Sequence, residues 1–244
     1  MSMRTAPFAP LALSCLLVTT GCTTVGASVD GAAAPHELSA VQLRAAVVSD
    51  ADLGAGYTVT VMKPPPGAAE ADSGRETADV PACQPVLDAV TPANPSAGPA
   101  AESDLSVSST AAPDAAVYAG LLAFRTGRAA VIQADLEKVL TQCTAFTSTA
   151  GGGTGVSVAR KGVRTKHRLA RLDTPTPEGA DGATAFTLTN ETGTGTLSQR
   201  ALLARTGTAL AVFSTVGSGA EQAPAPDDKI VRAQVGKLRA AQLK

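Results

Sequence analysis

The stretch LSQRALLARTGTALAVFSTV (residues 197–216) contains two apolar segments separated by a Thr-Gly pair. The first segment is LSQRALLAR (197–205) and the second is TALAVFSTV (208–216). Thr206-Gly207 has the length of a two-residue turn, and turns of this kind join neighbouring antiparallel strands. The stretch therefore predicts a β-hairpin, and with it an antiparallel sheet.

Further strand-like segments occur on the N-terminal side of this hairpin. They alternate between apolar and polar residues or are rich in β-branched residues, as strands are. They are YTVTVM (57–62), AAVYAGLLAFRT (115–126), GVSVAR (155–160), GVRTKHRLARL (162–172) and ATAFTLTN (183–190). The segment 115–126 is apolar on both faces, which predicts a position in the interior of the sheet.

Four segments have helical character, at 37–48, 78–90, 127–143 and 227–243. The last has an apolar stripe of Val231, Val235 and Leu238, which is the pattern of a helix packed on a core. Strands and helices together predict a single α+β domain. We expect an antiparallel sheet of five or six strands with helices packed on one face, and a single disulfide.

The N-terminus has the features of an export signal. Arg4 precedes an uncharged run at 8–18, which is too short to span a bilayer as a helix but suits a signal-peptide core. The residues TTGC (19–22) follow and resemble the bacterial lipoprotein signal, in which small residues precede an invariant cysteine. The resemblance implies cleavage before Cys22 and lipid attachment to its thiol, although Thr19 stands where that family usually has leucine or valine.

This resemblance divides the chain into three predicted parts. Residues 1–21 are a signal peptide, 22–35 are a flexible tether of small residues, and 36–244 form the folded domain. Two or three acyl chains make membrane attachment effectively permanent, so we expect a lipid-anchored protein on the extracytoplasmic face of the cell membrane. The alternative is ordinary secretion, with cleavage after a small residue such as Ala27.

Cys83 and Cys143 are the cysteines that remain in the predicted mature chain after Cys22 is lipidated. Paired cysteines in an exported protein usually form a disulfide, so we predict that these two are joined. The alternative is a zinc site, which needs four ligands at short spacing. His36 and His167 lie far from each other and from both cysteines in the sequence, so no metal site is expected.

Composition and motifs limit the classes of function. The formal net charge is −1, whereas a nucleic-acid partner requires a basic surface. The sequence has no serine nucleophile elbow, no HExxH motif and no CxxC motif, so we expect neither an enzyme nor a bound cofactor. His167 has no obvious partner in the sequence, and we expect a structural role for it.

The distribution of charge is uneven. Residues 50–114 carry ten acidic and two basic residues, whereas residues 125–172 carry nine basic and two acidic ones. Arg164, Lys166 and Arg168 alternate along a predicted strand, so they project from one face. Their counter-charges could come from the acidic half of the domain, from an anionic ligand or from lipid headgroups. A solvated or charge-protected face of the sheet is the alternative to a binding site.

Two phrases, DLGAGYTV (52–59) and PACQPVLDAV (81–90), together with the lipoprotein signal and the tether, resemble small lipoproteins of high-GC actinobacteria. More broadly, residues 36–243 are similar to the extracellular sensor domain of mycobacterial serine/threonine kinases. That family usually has two disulfides, and this chain can form one. The resemblance implies a non-enzymatic sensor or carrier that binds a small or lipidic ligand in a cleft of the sheet. The alternatives are an interaction module for an envelope protein, and an envelope hydrolase.

Overall fold

The computed structural model describes residues 35–62, 76–90, 98–150, 162–193, 195–218 and 221–244. They belong to one compact unit, Ala34–Lys244. Its strands are β1 (Tyr57–Met62), β2 (Thr77–Ala78), β3 (Ala101–Ser109), β4 (Ala112–Ala123), β5 (Ala145–Thr149), β6 (Arg164–Leu172), β7 (Gly182–Thr192), β8 (Gly195–Thr206) and β9 (Ala209–Ser218). Its helices are α1 (Ala40–Ala45), α2 (Asp50–Leu53), α3 (Gln84–Val90), α4 (Arg128–Leu140) and α5 (Asp228–Gln242).

The described strands form one antiparallel sheet, in the order β1-β3-β4-β9-β8-β7-β6-β5-β2. The antiparallel prediction is confirmed, but the predicted number of strands is wrong, because this sheet has nine. Strands β2, β3 and β5 have no counterpart in the prediction. Strand β3 reads AESDLSVSS, and its serines and acidic residues concealed an alternation in which Ala101, Leu105 and Val107 are buried. The predicted strand 155–160 lies outside the described residues.

Helices cover both faces of the sheet, so the prediction of one covered face is also wrong. Helices α1, α2 and α5 share a core with Leu202 and Ala204 of β8. Helices α3 and α4 share a second core with Ala201 and Leu203 of the same strand. Because successive side chains of a strand point to opposite faces, a strand that is apolar at every position needs cover on both sides. The domain is a three-layer sandwich.

The hairpin between β8 and β9 is present, with its turn at Gly207-Thr208, one residue later than predicted. Gly207 has a φ of +53°, and a Cβ at this position would overlap Pro35 and the side chain of Gln242. The Gln242 amide accepts a bond from the Thr208 N–H (2.8 Å) and donates to the Thr206 carbonyl (2.7 Å). The last turn of α5 is thereby fixed to the centre of the sheet.

The predicted disulfide between Cys83 and Cys143 is confirmed, with a Cα–Cα distance of 5.7 Å. Both cysteines are buried in the core beneath α3 and α4. The bond joins the short turn before α3 to the residues that follow α4. A cross-link of 60 residues stabilises a domain by roughly 4 kcal/mol in the chain-entropy model.

Thr206 and Thr208 provide a matched pair for testing the turn. The Thr206 hydroxyl is fully buried and has no hydrogen-bond partner among the described residues, whereas the Thr208 hydroxyl lies 3.0 Å from both the His36 carbonyl and Gln242 Oε1. We expect Thr206→Val to raise the free energy of unfolding by about 1 kcal/mol, because it removes an unsatisfied polar group. Thr208→Val should lower the free energy by about 1–2 kcal/mol. Urea unfolding measures both, and destabilisation by Thr206→Val would contradict the assignment.

Candidate functional site

The three predicted cations lie side by side on one exposed face of β6. Arg164, Lys166 and Arg168 are exposed, while the alternate residues Thr165 and His167 are buried on the other face. We call the exposed surface the open face. It consists of these three cations with Thr147 of β5 and with Thr189 and Glu191 of β7, which lie beside them in the sheet register. Among the described helices, those on this side of the sheet pack on its other half.

The domain itself supplies counter-charges to two of the three cations. Arg168 Nε lies 3.1 Å from Glu191 Oε1, and these side chains are 73% and 36% exposed. Arg164 Nη2 donates to the Thr147 hydroxyl at 3.1 Å, and that hydroxyl in turn donates to Asp79. Lys166 makes no ion pair within the part of the chain that the structure describes. The open face therefore keeps a net positive charge, part of which the acidic half balances through Asp79.

His167, on the opposite side of β6, is the centre of a buried polar network. Its Nε2 lies 2.6 Å from Ser148 Oγ and 3.4 Å from Glu76 Oε1, and its Nδ1 lies 2.7 Å from Asn190 Oδ1. The Phe146 ring stacks on the imidazole with 4.6 Å between centroids. The partners come from three separate stretches of the chain, so nothing near His167 in the sequence indicated them.

The hydrogen bonds of this network form a chain through His167. The Asn190 amide nitrogen donates a hydrogen bond to Gln199. Its oxygen therefore faces His167 and accepts a hydrogen bond from Nδ1. The Ser148 hydroxyl donates a hydrogen bond to Glu76 and also lies within hydrogen-bond distance of His167 Nε2. The network thus links Glu76 to Asn190 through Ser148 and His167. Burial would raise the pKa of Glu76, but the hydrogen bonds from His167 and Ser148 hold it below its usual value.

The order Ser148–His167–Asn190 resembles the hydrogen-bond order of a catalytic triad, but its surroundings do not fit a nucleophile. Ser148 is 1% exposed, and its hydroxyl proton is committed to a carboxylate. The third member is an amide rather than an acid. The arrangement instead holds residues 76–78 against β5 and β6, next to the disulfide-bearing turn.

A groove of about 390 Å³ runs along the exposed side of α5. Its lining is Glu178, Gly179, Arg232, Gly236, Arg239, Ala240 and Leu243. The rim carries both charge signs, since Arg232 pairs with Asp228 at 2.9 Å and Arg239 pairs with Asp181 at 2.8 Å. Asp181 also binds Arg205, which lines a second groove of about 230 Å³ beside α4.

Gly236 lines the larger groove. It lies in the middle of α5, where glycine costs about 1 kcal/mol relative to alanine. A Cβ at this position would have no atom within 4 Å, so packing does not require a glycine. The missing side chain leaves the floor open between the two arginines, and Leu243 exposes apolar surface at one end.

The predicted anchor and the segments before the folded domain are not part of the site described above. Cys22, the signal peptide at 1–21 and nearly all of the tether at 22–35 lie outside the described residues. Within the described ranges, no helix has the length and apolarity to span a bilayer. The same residues contain no group of three or more His, Cys, Asp or Glu side chains placed to hold a metal ion.

Comparisons with known proteins concern the fold. No family model matches the chain, and no curated protein matches it significantly. The extracellular domain of PknH from Mycobacterium tuberculosis superposes with a TM-score of 0.51 at 14% identity, over 84% of this chain and 96% of that one. The two share a fold. A Rv0999 ortholog from Mycobacterium smegmatis aligns with a TM-score of 0.41 at 10% identity, over 85% of this chain and all (100%) of the other.

The lowered pKa of Glu76 predicts a dependence of stability on pH. Because its folded pKa is lowered, it stabilises the fold above the unfolded pKa of about 4.3, and this stabilisation is lost as the pH falls through the folded pKa. We expect Glu76→Gln to lower the free energy of unfolding by about 1–3 kcal/mol at pH 7. The difference from wild type should narrow towards pH 3. Glu178→Gln, at an exposed carboxylate, is the control, and urea titrations at several pH values make the comparison. A difference in the free energy of unfolding that is as large at pH 3 as at pH 7 would contradict the lowered pKa of Glu76.

Proposed function

We propose that this chain is an extracytoplasmic lipoprotein, anchored in the cell membrane through Cys22, that binds a small or lipidic ligand and performs no catalysis. The buried Cys83–Cys143 disulfide supports an oxidising compartment outside the cytoplasm. The shared fold with an extracellular domain agrees with that location. The signal-like sequence before Cys22 supplies the means of anchoring.

The groove along α5 is the observation that carries ligand binding. Its volume of about 390 Å³ lies in the range of small-molecule sites. An apolar floor between two arginines suits an amphiphile, with its apolar part along Gly236 and Ala240 and a polar head at Arg232 or Arg239. Because acidic groups accompany both arginines, a zwitterionic or polar head fits better than a highly charged anion. The proposed site lies beside a helix, whereas the resemblance to kinase sensor domains implies a cleft of the sheet.

The hydrolase alternative finds little support in the geometry. Catalysis by Ser148 would require access to a hydroxyl that is buried, bonded to Glu76 and located within a paired strand. Neither groove contains a serine, a cysteine or a histidine in its lining.

An interaction module without a ligand is the second candidate, and strand β1 favours it. This strand lies at one edge of the sheet, and its Val61 and Met62 are 50% and 38% exposed. Asp50 already accepts a hydrogen bond from the Val59 N–H at 2.6 Å, which blocks part of the edge. A partner strand could add to the remaining edge.

Native mass spectrometry of the protein purified from an exporting bacterium tests ligand binding. We expect an excess mass that is lost on denaturation. Gly236→Leu should abolish it, because leucine fills the floor of the groove. Asp135→Leu, which adds leucine to the exposed side of α4, should retain it. A chain without excess mass, two hydrogens short for the disulfide, would overturn ligand binding and favour the interaction module.

Anchoring is tested separately at Cys22. We expect the wild-type protein to partition into the detergent phase with the mass of a chain that starts at Cys22 and carries acyl groups. Cys22→Ala should lose the acyl mass and be released from membranes. Retention of the variant in the membrane, or a wild-type chain without acyl groups, would end the lipoprotein proposal.

A further inference from the structure

We propose that the open face docks on an anionic phospholipid surface and thereby sets the orientation of the anchored domain. The inference rests on the proposed anchor at Cys22. It assigns a partner to a surface that the ligand-binding groove does not use, because the groove lies beside α5.

The shape and charge of the open face fit a planar anionic partner. Neighbouring cations on one face of a strand are spaced about 7 Å apart, so Arg164, Lys166 and Arg168 form a short straight row. Lys166 has no ion-pair partner within the described ranges, and Arg168 remains 73% exposed despite its contact with Glu191. The Thr189 hydroxyl flanks the row opposite Arg168 and can donate to a phosphate oxygen. An exposed sheet face presents these groups in one plane, whereas a single small anion would need a concave site.

The size of the electrostatic attraction limits what docking can do. A basic residue near an anionic membrane strengthens binding roughly fivefold, so three give about a hundredfold at most. The carboxylates of Glu191 and Asp79 reduce this gain. The face alone therefore gives only weak binding from solution. It is strong enough to choose an orientation for a domain that an anchor already holds near the surface.

The predicted tether is long enough for the domain to be anchored at Cys22 and docked through the open face at the same time. Pro35, where the described chain begins, packs against Gly207 at the β8–β9 turn. Lys166 lies opposite Glu191 in the sheet register, and Glu191 lies opposite Thr196 of β8. Thr196 therefore marks the level of Lys166 along β8. The span from Thr196 to Thr206 is about 33 Å at 3.3 Å per residue. The stretch from Cys22 to Pro35 reaches at most about 45 Å at 3.5 Å per residue.

Docking in this way fixes which surface faces outward. Helices α3 and α4 and the disulfide lie on the opposite face of the sheet from Arg164, Lys166 and Arg168. They would point away from the membrane, while the groove on α5 would lie on the membrane-facing side of the sheet.

Vesicle sedimentation of the compact unit from Ala34 onward tests the proposal without the anchor. The probes are vesicles of phosphatidylglycerol mixed with phosphatidylcholine, and vesicles of phosphatidylcholine alone, at low ionic strength. We expect weak binding to the anionic vesicles that 0.5 M salt abolishes. Arg164→Gln with Lys166→Gln should weaken it at least tenfold. Glu191→Gln should strengthen it several-fold, because it removes a negative charge from the open face.

Arg125→Gln with Arg171→Gln is the matched control. It removes the same charge from exposed positions outside the open face, and Arg171 lies on the other side of β6. We expect this variant to bind within about twofold of wild type, with thermal melting showing that all variants are folded. Equal losses of vesicle binding in both double variants, or equal binding to vesicles of phosphatidylcholine alone, would overturn the proposal. Because no acyl group is present in this assay, its outcome is independent of the test at Cys22.

Discussion

Burial of the β8–β9 hairpin on both of its faces is the constraint on which the rest of the domain depends. A hairpin with apolar residues at successive positions cannot leave either face in water, so the chain must supply a helical layer on each side. The two layers are secured by different means. Helix α5 is fixed to the hairpin turn by the amide of Gln242, and α3 is tied to the end of α4 by the disulfide. Polar hydrogen bonds and a covalent bond thus position layers that hydrophobic burial holds together.

Polar and charged side chains replace apolar ones beyond the strands that helices cover on both faces. From β7 to β5 the side chains on one face change from apolar core residues to cations and hydroxyls, and those on the other face change to the network of His167. The network remains buried because Glu76 closes over it and contacts both Ser148 and His167. The cations remain exposed because, among the described helices, those of that side pack on the other half of the sheet. Strand β6 therefore has one face buried in the domain and the other exposed to solvent.

Local sequence signals were sufficient for some elements and insufficient for others. The hairpin, α4, α5 and the disulfide follow from periodicity, turn residues and cysteine count, which are properties of short stretches or of pairs. Strand β3 was missed because its burial depends on neighbours that convert a serine-rich stretch into an interior strand. The second helical layer was missed although strand 115–126 already showed two apolar faces. The partners of His167 and the groove at Gly236 depend on tertiary contacts between distant segments, which no local pattern encodes.

The first residues of the folded unit and its C-terminal helix meet at the hairpin turn, and this meeting has a mechanical consequence. His36 donates its backbone N–H to the Gln242 carbonyl at 3.3 Å, and its own carbonyl accepts from Thr208. A force pulling on the N-terminal segment would therefore enter the domain at the middle of the sheet and at the C-terminal helix together. It would load many backbone hydrogen bonds at once instead of peeling an edge strand one bond at a time. Such an attachment would suit the anchoring that we propose through Cys22, because the domain would then have to stay folded under force.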